Sequence, residues 1–185
     1  MHWSTVENVA EILRAMDLAS SRGAKLCAFS ELAVTGFHRH IAREATPELV
    51  SPAIRELQAR CSKLSLGIAV GAPTFGAGAA KYNSHLLIDE DGETRAVISK
   101  QGLTEPEATF FQSGSSRPIA RLQGLNCSAV ICREVSDVEL CAGANALNRP
   151  EESVEGGEST VAAPNGEVMF RLPRESSGLG IFNLG

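Results

Sequence analysis

The most informative absences in this 185-residue sequence are a long apolar run and an export signal. No apolar stretch approaches the roughly 20 residues that a membrane-spanning helix requires. The opening MHWSTVENVAE has neither the basic region nor the apolar segment of a secretory signal peptide. We therefore expect a cytoplasmic protein that makes no contact with a membrane.

The sequence also lacks an excess of basic charge. It has 17 Lys and Arg residues against 22 Asp and Glu, a net charge of -5, and 43% of its residues are hydrophobic. These values argue against a strongly basic nucleic-acid-binding protein and against a disordered chain. No low-complexity tract or long Gly/Ser linker divides the sequence, so we expect one α/β domain that spans residues 1–185.

No two cysteines have the spacing of a zinc knuckle or a redox motif. The five cysteines form an odd set that suits a reducing compartment: Cys27, Cys61, Cys127, Cys132 and Cys141. His38 and His40 form an HxH pair, but on a loop such histidines more often face solvent or substrate than a metal. The segment GAGAAK at 76–81 resembles a phosphate-binding loop only loosely, and we interpret it as a turn.

Two units of helix followed by strand open the chain. The segment STVENVAEILRAMDLASSRG begins with the capping box of Ser4 and Glu7, which predicts an amphipathic helix that ends at Gly23. The short run AKLCAF predicts a strand that ends before Glu31, and ELVSPAIRELQARCSKLSLG and IAVGAPTF repeat the order. The expected apolar stripes of the two helices are Val6, Val9, Ile12, Leu13 and Met16, then Leu49, Ile54, Leu57, Cys61 and Leu64.

Hairpins and further strands follow. The segment KYNSHLLIDEDGETRAVISK alternates, turns at the Asp-Gly pair at 91–92 and returns to Lys100. We interpret QGLTEPEATFFQSGSSRP as a polar connection, and IARLQGLNCSAVIC as one or two strands, the last ending at Cys132. The segment GGESTVAAPNGEVMFRLP predicts another hairpin, with its turn at 164–166.

Glu31, Lys100 and Cys132 share one position, because each comes at the end of a predicted strand. That edge of an α/β fold is where binding and catalytic groups collect. Their chemistry is complementary, since a thiol needs a base to become a nucleophile and acyl transfer needs a cation where the oxyanion develops. From spacing alone a structural interpretation stays open, with a buried cysteine, a surface lysine and a solvated or helix-capping carboxylate.

The motifs around these three residues resemble those of the carbon-nitrogen hydrolase (nitrilase) superfamily. FSELAVTGF surrounds Glu31, KQGLTEPEATFFQSG begins at Lys100 and ICREVSD surrounds Cys132, in the order in which that superfamily places its Glu, Lys and Cys. The resemblance spans nearly the whole chain, including the Asn-Gly hairpin near its end, and points to the amidase and carbamoylase branch. It implies a four-layer α-β-β-α sandwich that usually pairs into a homodimer or a higher homo-oligomer.

The resemblance also implies a role for each residue. Cys132 is then the nucleophile, Glu31 the base, and Lys100 the group that stabilises the tetrahedral intermediate. Glu107 matches a second glutamate that lies near the lysine and helps to place the substrate, and the backbone amide of Arg133 is a second oxyanion donor. The implied substrate is a small molecule with an amide, carbamoyl or nitrile group, and no metal or organic cofactor is needed.

Three pieces of the family's domain have no counterpart in this sequence. They are the first core strand, an internal segment near Cys141 and the C-terminal tail, so we expect an incomplete sandwich and little amidase activity from the chain alone. Glu134 occupies a position that is structural more often than catalytic in the family. The alternative function is a catalytically silent nitrilase-like fragment or interaction module.

Overall fold

The computed structural model describes residues 2–132, residue 134 and the strand segments 159–162 and 168–172. The chain divides into two compact units, Met1–Ala129 and Val130–Gly185, and each is described by itself. The single domain expected over residues 1–185 therefore stays a prediction. In chain order the elements are α1 (Thr5–Ser21), β1 (Leu26–Ala28), α2 (Ile41–Glu44), α3 (Pro47–Leu64), β2 (Gly67–Phe75), β3 (Lys81–Ile88), β4 (Thr94–Ser99), α4 (Glu105–Ala108), β5 (Ala120–Leu122), β6 (Leu125–Cys127), β7 (Ser159–Ala162) and β8 (Val168–Leu172).

The first unit is built on a four-stranded mixed sheet of order β1-β2-β3-β4. Strand β1 runs parallel to β2, whereas β2, β3 and β4 pair antiparallel. The predicted hairpin between β3 and β4 is confirmed, and its turn contains Gly92 at φ +84°. The Asp91 carboxylate accepts a hydrogen bond from the amide of Glu93 at 2.9 Å and so stabilises this turn.

Helices cover the sheet on one side. The predicted capping box starts α1, since the Ser4 hydroxyl accepts a hydrogen bond from the Glu7 amide, and Gly23 at φ +83° follows the end of the helix. Helix α1 packs against α3, and α3 packs against β2. Both predicted helices and both predicted strands of this region are therefore confirmed.

The buried stripes of the two long helices differ from those expected. Val6 is 72% exposed, and Leu49 is also exposed. The buried face of α1 includes Asn8. Its side chain can be buried because it accepts a hydrogen bond from the amide of His2 and donates one to the carbonyl of His2. The residues that are buried on α1 and α3 are Thr5, Asn8, Val9, Ile12, Met16 and Ala19, then Val50, Ala53, Leu57 and Cys61.

One face of the sheet packs against the hairpin of β5 and β6. The apolar cluster there consists of Leu87, Ala96, Ile98, Ala120 and Leu122. The hairpin turns at Gln123 and Gly124, which both have positive φ. These two strands confirm the expectation of one or two strands in this region. The apolar cluster includes Ala96 and Ile98 of β4, so the strand that leads to Lys100 is packed against the core.

One expectation for the loops was wrong. The run 128–131, expected as a strand that ends at Cys132, is not a strand, because no strand in the described part of the chain pairs with it. The connection after Lys100, expected to be polar, contains the short helix α4, which begins with a capping box of Thr104 and Glu107. The segment after β2, by contrast, is a turn that leads into β3, as expected.

In the second unit the structure describes the strands β7 and β8. They pair antiparallel, with Ser159 opposite Leu172, which confirms the predicted hairpin. Its turn at 164–166 and the segment near Cys141 lie outside the described residues. Among the helices that the structure describes, none is long and apolar enough to cross a membrane.

Candidate active site

A buried lysine with two carboxylate partners lies at the end of β4. Lys100 is 1% exposed, and its Nζ donates to Oε1 of Glu31 at 2.8 Å and to Oε1 of Glu107 at 2.6 Å. A charged group withdrawn from water requires such partners, because desolvation would otherwise outweigh the gain from burial. Three of the expected site residues are thus brought together in a carboxylate-lysine cluster of Glu31, Lys100 and Glu107.

The backbone around Lys100 fixes its position. Lys100 continues the side-chain alternation of Ala96 and Ile98, two residues of the apolar cluster. Its amide donates to the carbonyl of Asn83 at 2.8 Å, and its carbonyl accepts from the amide of Gly114 at 2.8 Å. A Cβ at Gly114 would lie 2.2 Å from the backbone oxygen of the residue before Lys100, so this approach requires glycine.

Glu31 lies in the turn that follows β1 and crosses β2. The two segments touch at Gly71, where a Cβ would lie 2.4 Å from the backbone nitrogen of Leu32. His85 of β3 donates from Nε2 to the carbonyl of Phe29 at 3.1 Å and ties down the segment just before the turn. A glycine and a histidine on neighbouring strands therefore hold the backbone that carries Glu31.

The two carboxylates of the cluster differ in how their oxygens are used. Glu107 uses both, since its Oε2 accepts from the amide and the hydroxyl of Thr104 at 2.7 and 2.9 Å. Glu31 receives both of its hydrogen bonds on Oε1, from Lys100 at 2.8 Å and from Nδ2 of Asn83 at 2.7 Å. No group in the described chain donates to its Oε2, and its side chain is 18% exposed against 4% for Glu107. Glu31 thus keeps one oxygen that can accept a proton.

The charge state of Glu107 follows from its surroundings. Burial opposes ionisation, but hydrogen bonds from Lys100 and Thr104 outweigh it and hold the pKa of Glu107 below its ordinary value. At neutral pH Glu107 is therefore an anion that neutralises the lysine. With both oxygens engaged, this carboxylate is suited to holding Lys100 rather than to transferring protons.

The described cysteines have different environments. Burial raises the pKa of Cys27 to about 11 and that of Cys61 to about 12, and it also raises the pKa of Cys127. Cys132, in the second unit, is exposed and has a φ of +54°, which is uncommon for a residue with a side chain. The role expected for Cys132 stays a prediction, and Arg133 lies outside the described residues.

Two residues of the site were not expected from the sequence, although both left a signal there. Asn83 occupies a fully buried position of β3, where an amide side chain is unusual unless it has polar partners. Thr104 and Glu107 have the spacing of a capping box, which places the Glu107 side chain back against the start of a helix. Lys100 follows Ala96 and Ile98 at a spacing of two residues, which places it on the same, core-facing side of β4. A lysine at such a position is a further sign of a buried polar site.

The histidine pair does not form a recognisable metal site. The ring of His38 stacks on Trp3 with ring centroids 5.5 Å apart, and the ring of His40 meets Trp3 edge-on. Among the residues that the structure describes, no group of three potential metal-ligating side chains occurs.

Comparison with protein families identifies the family of this chain. The family model for carbon-nitrogen hydrolases matches residues 1–142. Comparison with curated protein sequences gives no match.

Comparison with solved structures gives matches to the amidase from Nesterenkonia sp. AN1. A variant of that amidase in which glutamine replaces a glutamate, with acrylamide added at its active-site cysteine, is 22% identical to this chain. Its TM-score is 0.80 over 94% of this chain and 85% of that chain. A cysteine-to-alanine variant, described as an amidase of the nitrilase superfamily, is 22% identical with a TM-score of 0.78 over 94% and 82%. A complex with butyramide is 22% identical with a TM-score of 0.79 over 94% and 83%. At this identity the likeness confirms the expected nitrilase-like α/β fold.

Proposed function

Since this chain belongs to the carbon-nitrogen hydrolase family, we propose that it hydrolyses a non-peptide carbon-nitrogen bond in a small molecule. The observation that carries the proposal is the unequal use of the two carboxylates around the buried Lys100. One carboxylate is fully engaged and the other retains an oxygen for proton transfer. Acyl transfer requires a fixed cation near the developing oxyanion and a group that accepts and returns a proton, and the two carboxylates meet these needs separately.

Glu31 is the proposed base. Its Oε1 is held by Lys100 and Asn83, which fixes the plane of the carboxylate, and Oε2 is the atom that would accept the thiol proton of Cys132. The partial exposure of this side chain is consistent with an open side toward a substrate. Glu107 cannot serve as well, because both of its oxygens already accept hydrogen bonds.

Lys100 is the proposed electrostatic group for the oxyanion. Its charge is preorganised, since two carboxylates and the surrounding core hold the ammonium before any substrate arrives. Preorganised charge in a water-poor site stabilises a developing oxyanion without a reorganisation cost. We assign Glu107 the role of holding Lys100, and the amide of Arg133 the role of a second oxyanion donor.

The proposed reaction proceeds through a thioester. The sulfur of Cys132 attacks the carbonyl carbon as its proton passes to Glu31, and the carbonyl electrons move to an oxyanion beside Lys100. Collapse breaks the carbon-nitrogen bond, and the leaving amine takes the proton from Glu31. Glu31 then removes a proton from water, whose oxygen attacks the thioester. The carbon-sulfur bond breaks, the carboxylic acid leaves, and Glu31 returns the proton to the sulfur of Cys132. A carbamoyl compound would follow the same sequence of attack and release. A nitrile would first form a thioimidate with Cys132, which takes up one water before ammonia leaves and the thioester forms, so its hydrolysis consumes two waters.

The test is ammonia release from a substrate panel. Butyramide is a suitable amide, because it is named in a structure of the Nesterenkonia amidase, and carbamoyl compounds and aliphatic nitriles extend the panel. From this chain alone we expect only weak ammonia release from at least one amide, its loss in Cys132→Ala, and unchanged release in Cys127→Ala. Release that persists in Cys132→Ala would contradict the proposed nucleophile, and no release above that background would favour the silent alternative.

A further inference from the structure

The proposed reaction does not use Glu134, although this carboxylate is only 1% exposed. Its Oε2 accepts a hydrogen bond from the amide of Ile131 at 2.8 Å, and its own amide donates to the carbonyl of Ile131 at 3.2 Å. Glu134 and Ile131 are therefore joined by two hydrogen bonds. The residues that they bracket include Cys132.

The backbone of Cys132 needs such support. Its φ of +54° lies in the left-handed region, which residues with a Cβ rarely adopt because of steric conflict. A residue stays in that region only where its neighbours hold it there. The side-chain bond and the backbone bond both join Ile131 to Glu134 and close the same turn, which contains Cys132. The two bonds therefore restrain the backbone from which the thiol of Cys132 leaves the chain.

We propose that Glu134 is a positioning residue, whose buried carboxylate holds the turn that presents the sulfur of Cys132. The proposal rests on the proposed function in so far as Cys132 is taken as the nucleophile. The turn requires a hydrogen-bond acceptor at the position of Oε2 of Glu134. The negative charge of the carboxylate strengthens its hydrogen bond with the Ile131 amide. A glutamine provides the oxygen at the same reach, whereas an alanine provides none.

The experiment compares Glu134→Ala with Glu134→Gln. The first readout is the second-order rate of iodoacetamide labelling at each cysteine, resolved by peptide mapping, and it needs no turnover. The second is kcat and KM for ammonia release from the best amide. In Glu134→Ala we expect labelling of Cys132 to slow about tenfold and kcat to fall about tenfold to a hundredfold, because a displacement near 1 Å has that effect. We expect KM to change little and Glu134→Gln to restore most of both rates.

The buried cysteines provide an internal control for folding. Cys27 and Cys61 should stay protected from the reagent in both variants if the change is confined to the turn. Wild-type labelling and kcat in Glu134→Ala would overturn the proposal, and so would exposure of Cys27 and Cys61 in both variants, which would mean that Glu134 supports the fold in general. A wild-type chain that releases no ammonia, but whose Cys132 labelling still depends on Glu134, would contradict the proposed function and support the positioning role.

Discussion

The ammonium of Lys100 and the carboxylate of Glu107 lie 2.6 Å apart, and neither side chain is more than 4% exposed. Ion pairs at the surface contribute little to stability, but this one has no access to bulk water that could replace a lost partner. Thr104 holds the far oxygen of Glu107, so the carboxylate cannot turn away from the lysine. The pair therefore links the stability of this region to the placement of a proposed catalytic group.

Removal of Glu107 should destabilise the protein. We expect Glu107→Ala to lower the free energy of unfolding by about 3 kcal/mol, because it removes one of the two described carboxylates that contact a buried cation. Glu107→Gln should cost less, since its amide oxygen still accepts from Lys100. Urea titration followed by circular dichroism measures the difference. Glu105→Gln, at an exposed position of the same short helix, is the matched control and should change stability by less than about 0.5 kcal/mol.

The contribution of Glu107 should depend on pH. Its pKa in the folded protein lies below the ordinary value of 4.5, so the unfolded chain binds its proton more readily and stability is lost as the pH falls. The difference in unfolding free energy between wild type and Glu107→Gln should be full near pH 7 and shrink as the pH falls below about 4.5. Urea titrations at several pH values provide the measurement. A difference that stays constant, or that grows in acid, would show that Glu107 is not the anion described above.

The cysteines should differ in reactivity. Burial raises the pKa of Cys27 to about 11 and of Cys61 to about 12, so both are almost entirely protonated at neutral pH, and Cys132 is exposed. Iodoacetamide at pH 7.5 should therefore label Cys132 first in the folded protein, as peptide mapping over time would record. In urea the thiols should approach one common rate. Labelling of Cys27 or Cys61 as fast as Cys132 without denaturant would remove the basis for the nucleophile assignment.

The sequence predicted the residues of the carboxylate-lysine cluster better than the contacts that hold them in place. The ends of two predicted strands indicate that Glu31 and Lys100 lie at one edge of the sheet, because a strand end is a local feature that a sequence records directly. Glu107 was added by the resemblance of its motif to the family. The contact of Gly71 with the turn that carries Glu31 depends on the pairing of strands far apart in sequence, which local periodicity does not contain.

The wrong predictions for the run before Cys132 and for the buried stripe of α1 also arose because local patterns do not record contacts with other segments. The run before Cys132 has strand composition, yet a strand exists only where a partner supplies hydrogen bonds, and the described chain offers none there. The spacing of apolar residues predicts a buried stripe on α1 that includes Val6, whereas the helix buries Asn8 and leaves Val6 in solvent. Hydrogen bonds between Asn8 and the chain before the helix made that rotation favourable, and no hydrophobic pattern encodes them.

Asn83 should affect catalysis more than stability. Its Nδ2 donates to Oε1 of Glu31 at 2.7 Å, and its buried Oδ1 has no hydrogen-bond partner among the described residues. Asn83→Ala removes a donor that orients the proposed base and also removes an unsatisfied acceptor, so the two effects on folding oppose each other. We expect the unfolding free energy to fall by less than about 1 kcal/mol and kcat to fall about tenfold, with KM little changed.

Ser84→Ala provides the matched control for this prediction. Ser84 is the next residue of β3, equally buried, and its hydroxyl lies 2.7 Å from that of Thr74 and 3.0 Å from that of Ser99. Because side chains alternate along a strand, its hydrogen bonds lie on the face away from Glu31. Ser84→Ala should therefore lower the unfolding free energy by about 1 kcal/mol and leave kcat unchanged. Equal losses of kcat in the two variants would mean that activity follows the packing of β3, and that the amide of Asn83 has no specific role in orienting Glu31.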